Sequence, residues 1–217
     1  LYKRTGKMKK TLKAGAALIL LVSMLFAYQS CKMVKEVTET IANIKKLQFK
    51  LESVSRFNVA GVDISSKKSV SDFSTMDALK LTRLVTSNEL PVSFTLNIAA
   101  KNPNDGSGKG RKTTATLTSF DWNLYIDDVK TVNGNIEKPI EIPGTGQSSI
   151  IPLTVSMDLY EFFGKRGYDG LLNLALAIGG VNGSPARLKL DARPRVSTPY
   201  GDINYPGRLT IVDKTWN

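Results

Sequence analysis

Three features of the sequence predict a mainly β fold: an antiparallel β-sandwich with a helical insertion and one or two short helices. From residue 47 onward, apolar residues alternate with polar ones over one segment after another, the period of a half-buried strand. Turn-forming Gly, Pro, Asn and Asp separate those segments. Two stretches break the alternation with helical spacing, and each follows a capping pattern.

The elements follow in order. Residues 33–46, "MVKEVTETIANIKK", place Val34, Val37, Ile41 and Ile44 near helical spacing, which suits a short helix or a tether. In "LQFKLE" Leu47, Phe49 and Leu51 alternate with Gln48, Lys50 and Glu52, and "FNVAGVDI" continues in β-type residues across Gly61. In "SDFSTMDALKLTRLV" the pair Ser74 and Asp77 caps a short helix. "PVSFTLNIAA" puts Val92, Phe94, Leu96 and Ile98 on one face and Ser93, Thr95 and Asn97 on the other. In "TATLTSFDWNLYI" Phe120, Trp122, Leu124 and Ile126 are in phase. Leu117 is not, so a bulge is expected near 118–119.

"IEKPIEI" precedes "SSIIPLTVSM", whose Ile151, Leu153, Val155 and Met157 point inward. The helical insertion opens on Asp158 and Glu161, is broken at Gly164 and Gly167, and resumes as "LLNLALAI" before Gly179 and Gly180. That second piece is apolar nearly all round and is expected to be buried. "ARLKLDARPRV" alternates strictly, and "GRLTIVD" supplies a last strand.

Composition narrows the function. The chain of 217 residues suits one sizeable domain behind a leader. It has no histidine, which removes the usual general base and the commonest metal ligand. One cysteine allows neither an internal disulfide nor a thiolate metal cluster. No cofactor or metal is expected. The net charge is +11, but residues 1–30 hold six Lys and Arg and no acid, leaving +5 for the rest. That balance does not call for a nucleic-acid partner.

Residues 1–30 read as a signal peptide, with 1–7 ahead of a plausible start at Met8. A basic segment precedes a 14-residue apolar run, 14–27. That is the length of a signal h-region and short of the ~20 residues a membrane span needs. The run ends in "AYQSC", and the only cysteine, Cys31, follows a small residue, Ser30. This resembles the lipobox of bacterial lipoproteins, although Tyr28 and Gln29 depart from the strict pattern. The resemblance implies that Cys31 is lipidated and becomes the mature N-terminus. The expected division is 1–30 signal peptide, 31–46 lipidated cysteine and tether or short helix, and 47–217 β-sandwich. The expected location is a bacterial cell envelope, membrane-anchored and facing the periplasm.

The stretch "KNPNDGSGKGRKT", 101–113, raises the question of phosphate binding. A P-loop needs G-x-x-x-x-G-K-[ST] between a buried parallel strand and a helix. Here Gly110 follows Lys109, and the next segment is strand-like. A flexible connection between two antiparallel strands is the simpler reading. In "NPN", Pro103 removes a ladder donor, and Asn102 and Asn104 are suited to ending the strand with their own side chains.

These pieces carry a resemblance. "LNIAAKNPN", "FDWNLYIDD", Gly134, Ile140, Glu141, Ile142 and Pro143, and then Pro152, Leu153, Thr154 and Val155 look like the late embryogenesis abundant type-2 family, also called the water-stress and hypersensitive-response domain. The resemblance spans roughly 47–213. It implies a fibronectin-like β-sandwich, no enzymatic activity, and roles in stress protection or hydrophobic-ligand binding. The longer, more basic loop after Asn104 and the split helical insertion depart from that pattern.

Four further groups are candidates. Asp127 and Asp128 suggest a metal or acid–base pair, or more simply a hairpin turn. Arg187, Lys189, Arg193 and Arg195 share one strand face, suited to anionic lipid headgroups or glycans. The plainer alternative is a solvated face that also blocks edge pairing. Leu171, Leu172, Leu174, Leu176 and Ile178 form either an apolar lid over a ligand cleft or a plug in one end of the sandwich. Trp122, Tyr125, Tyr200 and Tyr205 read as core and corner aromatics. The sequence therefore leads to a non-enzymatic, lipid-anchored binding or stress-protection module. Its alternatives are a hydrophobic-ligand or lipid-binding protein with a helical lid, a glycan- or protein-binding accessory lipoprotein, and a carboxylate-dependent hydrolase. The expected partners are the membrane, lipid, or another envelope protein.

Overall fold

The computed structural model describes residues 34–107, 112–179 and 188–212. By internal contacts the chain divides between residues 43 and 44. Helix α1 covers 34–44, where Thr38 and Thr40 bond back to the carbonyls of Val34 and Glu36.

The second part is an antiparallel β-sandwich. One sheet runs β2 (Val62–Asp63), β1 (Gln48–Val59), β3 (Pro91–Lys101) and β7 (Ser148–Asp158). The other runs β10 (Leu209–Val212), β8 (Leu188–Ser197), β4 (Ala115–Ile126) and β5 (Val129–Gly134). Short β6 (Ile140–Ile142) also pairs with β4, and β9 (Ile203–Asn204) with β8. The inner faces are those the alternation marks. Val92, Phe94, Leu96 and Ile98 meet Ile151, Leu153, Val155 and Met157 in one continuous core. Phe49 and Phe120 span the two sheets with ring centroids 5.4 Å apart.

The expected bulge is present: the β4–β8 register slips between Leu117 and Ser119. Asn135 takes up the freed backbone, its Oδ1 accepting from Phe120 N at 2.6 Å. The 57–64 segment differs from the expectation of one continuous run. It is a hairpin, with Asn58 opposite Asp63, turned at Ala60 (φ 51°) and Gly61 (φ 80°). Strand β5 was not anticipated, because its "VKTVNG" buries no residue fully.

The ends of the sandwich differ. At one end Lys101 pairs with both Gln48 and Ser148. At the other, Pro91 pairs with Asp158, and helices α2 (Thr75–Thr86), α3 (Leu159–Phe163) and α4 (Gly167–Ile178) collect there. We call these the loop end and the helical end. Ser74 caps α2 by accepting from Asp77 N. Asp158 caps α3 through Tyr160 N and also accepts from Leu90 N, 68 residues away in sequence.

The 101–113 connection joins β3 of one sheet to β4 of the other, so it crosses the sandwich and is not a hairpin. The β6–β7 link crosses back beside it. Asn102, fully buried, sits between them. Its Nδ2 donates to Thr113 O at 2.8 Å and to Ile142 O at 3.0 Å. Its Oδ1 accepts from Asn104 N and Nδ2, and its backbone oxygen from Gly146 N. Gly144 lies so close that an added Cβ falls 2.3 Å from the carbonyl oxygens of both Asn104 and Thr113. Asn102→Ala strands several of these groups without partners. We expect a loss of ~3 kcal/mol, from a cost of 1–3 kcal/mol per buried unsatisfied group. Thermal unfolding should shift down by ~10 °C in a domain this size. Asn97→Ala, which removes bonds only to Ser53 and Ser55, is the control and should cost under ~1 kcal/mol.

Candidate functional site

The charged candidates are tied into the scaffold. Asp127 and Asp128 are the two central residues of the β4–β5 hairpin, with φ of 49° and 65°, the backbone such two-residue turns require. Arg166 reaches Asp127 at 3.0 Å, and Lys189 lies 3.9 Å from Asp128. The turn reading therefore holds for this pair.

The basic row is only partly described: Arg187 lies outside the described residues. Lys189, Arg193 and Arg195 do share the outer face of β8, alternating with buried Leu190, Ala192 and Val196. Yet β8 lies between β4 and β10, so its cations do not guard an open edge. Nor is the face uniformly basic. Lys189 stands 4.6 Å over the Tyr125 ring, Arg195 donates to Asn204, and Arg193 is registered opposite Asp121. Arg208 lies beside them, bonded to Asp121 Oδ2 at 2.7 Å and to Asp191 Oδ1 at 2.8 Å. Hydrogen bonding to Asp121 does most to raise the guanidinium's pKa; desolvation opposes it, and the bond to Asp191 and the charges of both carboxylates add to the rise.

Other carboxylates serve local structure. Asp63 is held below its ordinary range chiefly by the Ser65 hydroxyl, Asp72 by the Lys68 amide, and Asp105 by the Ser107 hydroxyl. Among the described residues no group of three or more potential metal ligands gathers.

The outer face of the other sheet differs in chemistry. Ser93 and Asn97 of β3, with buried Thr95 between them, lie beside Ser156, Thr154 and Pro152 of β7. On the other flank Ser53 and Ser55 accept from Asn97 Nδ2, each at 3.0 Å. This middle stretch is hydroxyl- and amide-rich and uncharged. Ile150, 47% exposed, extends it along β7. The alternation places Ser93, Thr95 and Asn97 away from the core, but does not reveal that three strands pool such residues.

The apolar helix is part of the core. Leu171, Leu172, Leu174, Leu176 and Ile178 are at most 4% exposed and belong to the same cluster as the strands. Helix α4 begins at Gly167, earlier than expected, where φ of 70° and ψ of −179° favour glycine. Gly179 follows it in ordinary right-handed geometry, and Gly180 lies outside the described residues. Trp122 is 3% exposed, as expected of a core aromatic, with its ring against Gly134. Tyr200 departs from that reading at 43% exposed. Cys31 and the signal segment lie outside the described residues, as do 108–111 of the glycine-rich connection. No helix among the described residues is long and apolar enough to cross a membrane.

No family model matches the chain, nor does any curated protein. Two solved structures are similar at 8% identity and a TM-score of 0.28. One is a protein from Archaeoglobus fulgidus, covering 58% of this chain and 87% of its own. The other, provisionally described as ApaA of Bordetella pertussis, covers 76% and 95%.

The plug and lid readings of α4 separate at Leu174. As a plug, Leu174→Gln should lower stability by ~3 kcal/mol through lost burial and a stranded amide. Thermal denaturation measures that loss. The wild-type chain should take up no fluorescent fatty acid saturably. Saturable uptake, weakened by the substitution in a folded protein, would establish the lid.

Proposed function

We propose that this chain is a non-enzymatic, lipid-anchored binding module of a bacterial cell envelope, facing the periplasm. The observation that carries the anchor is the placement of the chain's lone cysteine directly behind a 14-residue apolar run. The resemblance to the late embryogenesis abundant type-2 family supports a binding or stress-protection role over catalysis. So does the use of Asp121, Asp127, Asp158 and Asp191 as turn, cap and ion-pair residues. A group that fixes the backbone or neutralises an arginine is poorly placed to exchange protons with a substrate.

A second reading concerns the bound species. The uncharged Ser, Thr and Asn surface on β1, β3 and β7 favours a neutral partner, a glycan or a polar protein surface. Hydroxyls and amides exchange hydrogen bonds with such partners without desolvating a charge.

Cys31→Ser should abolish metabolic acyl labelling and leave the signal segment uncleaved; unchanged labelling rejects the anchor. Ester, glycoside, peptide and phosphate substrates should be turned over only at background. Turnover lost on changing a single carboxylate would instead establish the hydrolase alternative.

A further inference from the structure

We infer that the loop end of the sandwich is a docking face for anionic phospholipid, holding the domain upright on the membrane that anchors it. This rests on the anchoring reading above and adds the surface and its lipid partner. Two observations carry it. First, the chain enters the domain at this end: Ile44 and Leu47 are core residues, and Gln48 pairs with Lys101. Twelve residues lie between Cys31 and Ile44, a reach of at most ~45 Å if fully extended and less with α1 helical. Strand β1 alone carries the chain a further ~40 Å to the helical end. The loop end is therefore the end nearer the anchor along the chain, and the helical end the farther one.

Second, cations gather where the chain enters. Lys45 and Lys46 are exposed beside the first strand, with Lys101 and Lys112 on the neighbouring connection. Exposed Tyr200 lies in the β8–β9 turn at the same end, an aromatic suited to the headgroup layer. Asp105 and Asp202 are also there. Ser107 donates to Asp105, and Thr118 donates to Asp202. Glu141 of β6 is the third acid. At the helical end, by contrast, Lys67, Lys68 and Lys80 are interspersed with Asp63, Asp72 and Asp77. Charge acts on a bilayer only within about a Debye length, ~10 Å. The lysines beside the tether are thus the ones that attract phosphate headgroups.

The test uses native lysines as reporters. The full chain is mixed with phosphatidylglycerol–phosphatidylcholine vesicles or phosphatidylcholine vesicles, and modified briefly with an amine-reactive reagent. Mass spectrometry reads each site. With anionic vesicles, Lys45, Lys46, Lys101 and Lys112 should lose reactivity several-fold. Lys67, Lys68, Lys80, Lys165 and Lys189, all at the helical end, should not. High salt should erase the difference. The exposed pair Lys45→Glu and Lys46→Glu should restore the reactivity of Lys112 without affecting the fold. Uniform protection, protection of the helical end, indifference to lipid charge, or no association with anionic vesicles would each overturn the inference. Acyl mass on Cys31 in the same spectra keeps the two ideas apart. An acylated chain without the lysine pattern sinks the docking face alone, and the pattern without acylation sinks the anchor alone.

Discussion

One buried amide governs how the two sheets are joined at the loop end. A sandwich must carry its chain between layers, and each crossing leaves backbone groups without a ladder partner. Two crossings run together here, β3 to β4 and β6 to β7. The Asn102 side chain has two donors and an acceptor oxygen. It gives its donors to Thr113 O and Ile142 O, one on each crossing, and its oxygen to Asn104. No apolar residue could satisfy those groups, and an ionised Asp could not donate. Gly144 completes the arrangement by leaving room for the carbonyls of Asn104 and Thr113. Pro103 has no amide to satisfy.

The helical end solves the same problem by other means. The chain leaves β7 at Asp158, passes through α3 and α4, and enters β8. Here burial dominates: each fully buried aliphatic of α4 contributes roughly 1.5–3 kcal/mol. Polar links are few and at the margin. Asp158 ties the start of α3 to Leu90, and Arg166, in the short turn between α3 and α4, bonds to Asp127 of the β4–β5 hairpin. One end is specified by hydrogen-bond geometry and the other by hydrophobic volume. Tolerance to substitution should differ accordingly, since apolar swaps of similar volume cost little.

Legibility in the sequence follows the range of the interaction. Strand faces were readable because alternation is local: the inward sets of β3, β7 and β8 came directly from it. The slip at Leu117 was readable for the same reason, since a bulge shows as a phase error. The Asp127–Asp128 turn and the Ser74 cap need only neighbouring residues. What escaped was long-range. Asn102 reads as a strand terminator, and nothing local says that its amide reaches Ile142, 40 residues on. Asn135, which caps the bulge, and the second bond of Asp158 were hidden likewise. The position of β8 inside its sheet depends on partners across the whole chain, so the edge-guarding account of its arginines could not be tested from sequence. Among the candidate surfaces, the basic row was legible as a row. Asp191 stands in that row and was legible with it, whereas Asp121 was not, because it arrives from β4.

That last point bears on how the module meets its surroundings. A basic row facing solvent alone would bind anions broadly. Interleaved with Asp121, Asp128 and Asp191, it becomes a charge-balanced outer sheet that neither attracts nor repels strongly. The opposite outer sheet is neutral in its middle for a different reason, being built of Ser, Thr and Asn. Two broad faces without a strong field leave the ends to set orientation near a charged surface. At the ends, charge near the chain entry acts at close range and charge at the helices acts across the length of the sandwich. Screening over ~10 Å makes that difference decisive. In the proposed orientation, a domain held by its entry end would present both broad faces sideways, and the hydroxyl-rich middle of the first sheet would face along the bilayer surface rather than into it.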